Sequence, residues 1–252
     1  MKLCSYVVKT DSGLAPNPFH GYCTCAVCTP SHMSANLQTG DWLIGHSRKD
    51  EDNQLIYAMR LTEMPLTMEE YYNDSRFEAK KPDLHGNDAQ QCGDNLYYRD
   101  DNGQWVRLPS RFHNTPKNFI KDLGKELTGH PVFVSQDFYY FGKNRVDIPN
   151  DNDLRGVIWN RQGIKYTEGP LAEKFVTWLK DNHKAHHNPP SNNLVRPKDF
   201  PHGCTQETGP LLTGFMWKDD VSGQDNDEAD PTGPSNNPQP APPSNRSNGG
   251  RC

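Results

Sequence analysis

The chain lacks the sequence marks of the common nucleotide-hydrolysing, dinucleotide-using and hydrolytic enzymes. It has no G-x-x-x-x-G-K-S/T, no G-x-G-x-x-G, no G-x-S-x-G and no H-E-x-x-H, and the deaminase pair of H-x-E with P-C-x-x-C is missing. It also has no run of about 18 apolar residues, which excludes a membrane-spanning helix. Its first residues, Met1-Lys2-Leu3-Cys4-Ser5-Tyr6, lack a secretory apolar core and meet a charge again at Lys9. Seven cysteines, an odd number without an export signal, fit a reducing cytoplasm better than a disulfide framework. A net charge of −5 gives no global basic field, so a nucleic-acid partner would need a local basic face.

Apolar residues are scarce too. They make up 33% of 252 residues, and counting glycine brings the share to about 41%, under the usual ~45–50%. The shortage is concentrated from Lys218 to Cys252, where six prolines and many Asn, Ser, Gly and Asp stand with almost no large apolar side chain. Such a stretch buries too little surface to offset its ordering entropy and is expected to be a disordered tail. Pro238 to Pro243 reads as solvated chain before it reads as a docking motif. The expected organisation is a folded domain over 1–182, a polar extension over 183–217 and the tail over 218–252.

What remains reads as short strands joined by polar connections. Leu3–Val8, Asp41–Gly45 and Leu55–Leu61 are three, the last two separated by a charged turn from Arg48 to Asn53. Leu96–Tyr98 and Gln104–Leu108 flank Asp100-Asp101-Asn102-Gly103, and Asn-Gly between β-formers is a strong hairpin signal. Val132–Val134 and Phe138–Phe141 form another strand region, in which Tyr139 and Tyr140 point to opposite faces and one is expected to be exposed. Thr67 and Glu70, three apart, form a capping box for a short helix. A longer helix is predicted from about Leu171 to Asp181, with Thr167 as a candidate N-cap and Leu171, Phe175, Trp178 and Leu179 on one face. Few long helices stand between strands, so parallel crossovers are not expected. The fold class is α+β, a closed or strongly bent β-rich barrel with flanking helices.

Residues 11–30, DSGLAPNPFHGYCTCAVCTP, are too rich in proline, glycine and cysteine to be a regular element, and a loop this long in a compact domain is usually functional or disordered. Phe19 and Tyr22 offer aromatic faces and Asn17 and His20 polar edges for a flat ligand. Cys23, Cys25 and Cys28 invite a zinc reading, with Cys92, His20 or His32 as the fourth ligand. No second C-x-x-C or H-x-x-x-H completes a tetrahedral site, and buried thiols acting as small hydrophobes are preferred. No metal and no cofactor is assigned. A catalytic thiolate would need a positive neighbour, and only His20 or His32 is near in sequence.

Asp94 and Asn95 either cap a turn or present a carboxylate and an amide to a nucleobase edge. Ser135-Gln136-Asp137 carries the same ambiguity. His183 and His187 lie four apart, yet Lys184, Ala185 and His186 between them supply no carboxylate, which favours a solvated helix end. Arg48, Lys49, Arg60, Lys80, Lys81, Arg99, Arg107 and Arg111 are candidates for phosphate contacts, although such residues are usually plain solvated surface.

The runs YVVKTDSGLAPNPFHGYCTCAVCTP, GDWLIGHS, LIYAMRLTE with MEEYYND and RF, GDNLYYRD and SQDFYYFG resemble, in order and spacing, the second family of nucleotide-modification-associated domains. The likeness extends from Lys2 to about Leu179. It implies bacterial or phage systems that make or handle modified DNA bases, with modification-system enzymes as partners. The stretch GDWLIGHS…LIYAMRLTE…EYYND is also similar to PUA/EVE-like barrels, which hold a modified base by stacking and by hydrogen bonds to its edge. That likeness implies Asn17, Phe19, Tyr22, Trp42, Gly45, His46, Ser47, Asp94, Asn95 and Tyr140 as pocket-side residues, with a modified nucleobase, nucleotide or DNA as ligand. The alternative is an enzyme that alters a nucleobase or nucleotide, with Asp94 as acid or base or with Cys23 or Cys28 as nucleophile.

Overall fold

The computed structural model describes residues 1–27, 34–111, 126–127 and 131–185. The expectations for Cys28, His32, His186, His187 and the tail from 218 fall outside these residues, as does the extension from 183 beyond Ala185.

Strand β3 (Trp42–His46) is buried along its whole length. A strand reaches that state only when both faces of its sheet are covered. It lies at the centre of a five-stranded sheet with β1 (Lys2–Val7), β4 (Leu55–Arg60), β8 (Asp137–Tyr140) and β9 (Ile164–Glu168), in the order β8-β4-β3-β1-β9. The β1–β3 pair is parallel, and the other pairs are antiparallel. A parallel pair was not expected without a crossover helix. Here the loop from residue 8 onward and the short strand β2 (Cys23–Cys25) lie between them in sequence instead.

One face of the sheet is closed by helix α4 (Pro170–Asn182). Leu3, Trp42, Ile44, Ala58 and Tyr139 from the strands meet Phe175, Val176 and Leu179 from the helix in one apolar cluster. Gly169 precedes Pro170 as N-cap with a φ of 68°. Thr167 is therefore not the cap; it sits in β9 opposite Leu3. His183 ends the helix, its ring edge-on to Phe141 and Trp178.

The opposite face carries Cys4, Tyr6, Leu43, Tyr57, Met59, Phe138 and Tyr140. It is covered by a two-stranded ribbon of β2 and β7 (Phe133–Ser135), whose Cys23, Cys25 and Phe133 join this cluster. Because strand side chains alternate, Thr24 and Val134 face away from the sheet. Val134 joins a third cluster with Met68, Tyr71, Phe77, Leu96 and Tyr97. Those residues come from α1 (Met68–Asn73), a 3₁₀ turn over Ser75–Lys80, and the hairpin of β5 (Tyr97–Arg99) and β6 (Trp105–Arg107). The capping box of Thr67 and Glu70 forms as predicted. The β5–β6 turn closes with Gly103 at a φ of 75°. Two single-turn helices, α2 (Asp88–Gln91) and α3 (Asn152–Arg155), and two short 3₁₀ turns, Lys49–Glu51 and Gly142–Asn144, complete the described elements.

Two expectations need correction. The described strands form an open sheet and two small ribbons, not a closed barrel. Among the described strands β9 pairs only with β1, and it exposes Tyr166, while the chain bends at Gln136 between β7 and β8, where Ser135 Oγ donates to the Arg60 carbonyl at 2.6 Å. Tyr139 and Tyr140 are both buried, because each face of the sheet has its own cover. No helix among the described residues is long and apolar enough to cross a membrane.

Candidate functional site

Register builds the floor of the site. Tyr6 pairs with Gly45, Gly45 with Tyr57 and Tyr57 with Tyr140, so one row crosses four strands. The Tyr6 and Tyr57 hydroxyls meet at 2.8 Å across the glycine. A Cβ on Gly45 would sit 2.3 Å from Tyr57 Cε1 and 2.5 Å from Val8 Cγ2, so only glycine permits this meeting. At the end of the row, Tyr140 donates to Asp11 Oδ2 at 2.8 Å, and the Gly13 amide donates to Asp11 Oδ1 at 3.2 Å. Burial pushes the Asp11 carboxyl up to about 6 against these bonds.

Above the floor lies the 11–27 loop, held by a fully buried lysine. Lys80 Nζ donates to the Asn17 carbonyl at 2.9 Å, to Asn17 Oδ1 at 2.6 Å and to the Tyr22 carbonyl at 2.7 Å. Its three protons thus have three acceptors, which a buried ammonium requires. Burial pulls its pKa down to about 8, and the nearby Asp94 opposes that shift. Asn17 extends the connection, its Nδ2 donating to the Cys92 carbonyl at 2.7 Å, while its backbone bridges Thr24 in both directions. Lys80 is closed to phosphate, contrary to its reading as a surface candidate. Arg48, Arg60, Lys81, Arg99 and Arg111 from the same set each face a carboxylate within 4 Å.

Asp94 is equally enclosed. Thr24 Oγ1 donates to its Oδ2 at 2.6 Å and Tyr71 OH to its Oδ1 at 2.7 Å. Burial raises its pKa, while Lys80 and the two hydroxyls pull the other way. Asn95 Nδ2 reaches the carbonyls of Tyr71 and Phe77, both at 3.2 Å, and its Oδ1 is buried without a partner among the described residues.

The thiols sit in the same interior without ionising. Burial pushes Cys25 up to about 12 and Cys23 well above its ordinary value. Cys25 Sγ lies 3.6 Å from the Tyr57 hydroxyl, and Cys92 and Cys4 are likewise buried and raised to about 12. Among the described residues, no three His, Cys, Asp or Glu side chains come together as metal ligands.

The structure therefore gathers Asn17, Phe19, Cys23, Asp94 and Tyr140 around one polar interior, with Asn95 behind Asp94 and Gly45 in its floor. Tyr22 lends its carbonyl to Lys80, while its ring packs edge-on to Phe77 at 5.1 Å. Three expected residues lie elsewhere. Trp42 is on the helix-covered face, 6.3 Å from the Tyr139 ring. His46 Nε2 accepts from the Trp159 amide at 3.2 Å, so its Nδ1 carries the proton that reaches the Ser47 carbonyl at 2.8 Å. Ser47 Oγ ties the β3–β4 turn through the Glu51 carbonyl at 2.8 Å.

Sequence reasoning missed Asp11, Thr24, Tyr6, Tyr57, Tyr71 and the role of Lys80. Lys80 and Phe77 are both buried, but the Ser75–Lys80 segment kinks at Phe77, so no helical period links the two and the sequence carries no local signal for the lysine.

The nucleotide modification associated domain 2 family matches residues 1–197. The chain belongs to that family. Comparison with curated proteins and with solved structures returned no match. Family membership ties this domain to nucleotide modification, and the polar interior beneath the 11–27 loop falls within the matched region.

Proposed function

We propose that this family member recognises a modified nucleobase or nucleotide, free or in DNA, beside the enzymes of a modification or restriction system, and leaves its ligand chemically unchanged. The observation that carries this reading is the state of the groups beneath the 11–27 loop. Asn17, Lys80, Asp94, Thr24 and Tyr71 are locked by short hydrogen bonds into one arrangement. These groups are spent on one another, so they hold the 11–27 loop above them in one preorganised shape, which is what a base-recognition loop requires.

The thiol route through Cys23 is disfavoured, since the thiolate is the nucleophile and burial holds the Cys23 thiol well above its ordinary value; Cys28, the other candidate, lies outside the described residues. A carboxylate route keeps one specific argument, since Asp94 and Asp11 are both raised by burial, as general acids and bases are. Against it, both Asp94 oxygens already accept from Thr24 and Tyr71.

The test is to incubate the full chain with modified and unmodified oligonucleotides and mononucleotides, measuring binding and then nucleoside masses. Saturable binding with unchanged masses is expected. A mass shift would make the protein an enzyme and point to Asp94.

A further inference from the structure

The turn from Asn17 to Tyr22 is built with unusual economy. A single group, Lys80 Nζ, holds the carbonyls at both ends, at 2.9 and 2.7 Å. Inside the turn the Tyr22 amide reaches the Phe19 carbonyl at 3.3 Å, and the Phe19 amide reaches Asn17 Oδ1 at 3.3 Å. The two residues at the tip, His20 and Gly21, both have positive φ, 58° and 81°. For Gly21 this conformation is ordinary; for histidine it is uncommon and carries a strain that the clamped ends impose.

Strain alone does not point to a ligand, but the imidazole adds a second observation. His20 is half-buried, and its Nε2 is shut off from water with no partner among the described residues. A buried polar nitrogen without a partner is unfavourable, so this ring nitrogen is poised to gain from one. Burial and the nearby Lys80 both favour the neutral imidazole, which offers one donor and one acceptor. The ring packs edge-on to Phe19, 6.4 Å between centroids. Beside it, a Cβ at Gly21 would meet no atom of the described residues within 4 Å, which leaves room for a flat molecule at the tip backbone. For Nε2 to meet such a molecule, the imidazole must turn about its side-chain bonds.

We propose that the clamped turn is the element that meets the ligand, and that His20 Nε2 makes a hydrogen bond to the polar edge of a nucleobase. Lys80 acts as a positioning residue that fixes both ends of the turn and does not itself touch the ligand. The proposal rests on the base-recognition reading given above and names the contact residue within it.

The test uses the full chain, wild type and His20→Gly, with single-stranded oligonucleotides carrying 5-methylcytosine, 5-hydroxymethylcytosine or N6-methyladenine as probes. Glycine at φ 58° relieves the tip, so the variant should fold with at least wild-type stability by thermal unfolding. It should nevertheless bind the recognised probe at least about tenfold more weakly. In wild-type protein with ¹⁵N-labelled histidine, the His20 ring nitrogens should shift on addition of that probe. A purely structural histidine would give neither the affinity loss at undiminished stability nor the shift. Saturable binding with unchanged affinity in the variant and silent His20 nitrogens overturns this proposal while leaving base recognition standing. No binding of any probe by the wild type removes both.

Discussion

The two faces of the central sheet are built from the same strands and carry opposite chemistry. Toward α4, the sheet presents Leu3, Trp42, Ile44 and Ala58 to Phe175 and Leu179, an oily interior that needs no hydrogen bonds. Toward the 11–27 loop it presents a row of tyrosines and thiols, and beyond them a buried lysine and two buried carboxylates. A core built only for stability would resemble the first face. Buried charge is costly unless fully bonded, and replacing it with well-packed apolar groups is often neutral or stabilising. The polar face therefore gives up stability that the apolar face does not, which is why the candidate site is placed there.

The largest expected effects test whether the faces do different work. Lys80→Met strands the carbonyls of Asn17 and Tyr22 and should lower unfolding free energy by about 3–5 kcal/mol in urea titrations. Trp42→Ala, on the apolar face, should lose a similar amount, about 3–5 kcal/mol, through the cavity it leaves. The comparison sharpens in ligand binding. Folded Trp42→Ala protein should bind as wild type, and folded Lys80→Met protein should not. Equal loss of binding in both would erase the distinction.

The next effect is one of pH. The folded pKa of Asp11, about 6, lies above its ordinary 3.8, so the native state keeps this proton longer than the unfolded chain. Its contribution is fully present below about pH 4 and is lost as pH rises to about 6, roughly 3 kcal/mol over the interval. Asp11→Asn should remove that slope when the two proteins are compared by denaturant unfolding from pH 4 to 7. Identical slopes would mean that Asp11 is solvated.

Gly45→Ala, aimed at the tyrosine row, should destabilise by about 1–3 kcal/mol, because the new methyl meets the Tyr57 ring. The smallest signal is chemical. In native protein, Cys4, Cys23, Cys25 and Cys92 should resist alkylation at pH 8, as read by peptide mass mapping, and react once the chain is unfolded. Rapid labelling of Cys23 in the native state would revive the nucleophile reading.

These contrasts also show what the sequence can and cannot reveal. Periodicity and turn chemistry located β1, β3, β4, the Asn102-Gly103 hairpin and α4, because those signals are local. The tyrosine row was illegible, since Tyr6, Gly45, Tyr57 and Tyr140 meet only through inter-strand register. Tyr139 and Tyr140 misled for a related reason: alternation tells which face a residue takes, not whether that face is covered. Within the site, Asn17 and Asp94 were visible as polar residues in an irregular loop and before a strand. Lys80 was hidden by the general rule that lysine lies outside, and Asp11 by the turn-like composition around it. Trp42 and His46 followed from likeness to a pocket pattern, and the pleat turned both toward the helix-covered side.

Amide hydrogen exchange on the full chain, with and without the modified-base oligonucleotide that binds it, tests the central claim most directly. Slowed exchange in residues 11–27 and 80–95, with α4 and β9 unchanged, is the predicted result. Protection confined to α4 and β9, or none despite saturable binding, would contradict a ligand site on the polar face.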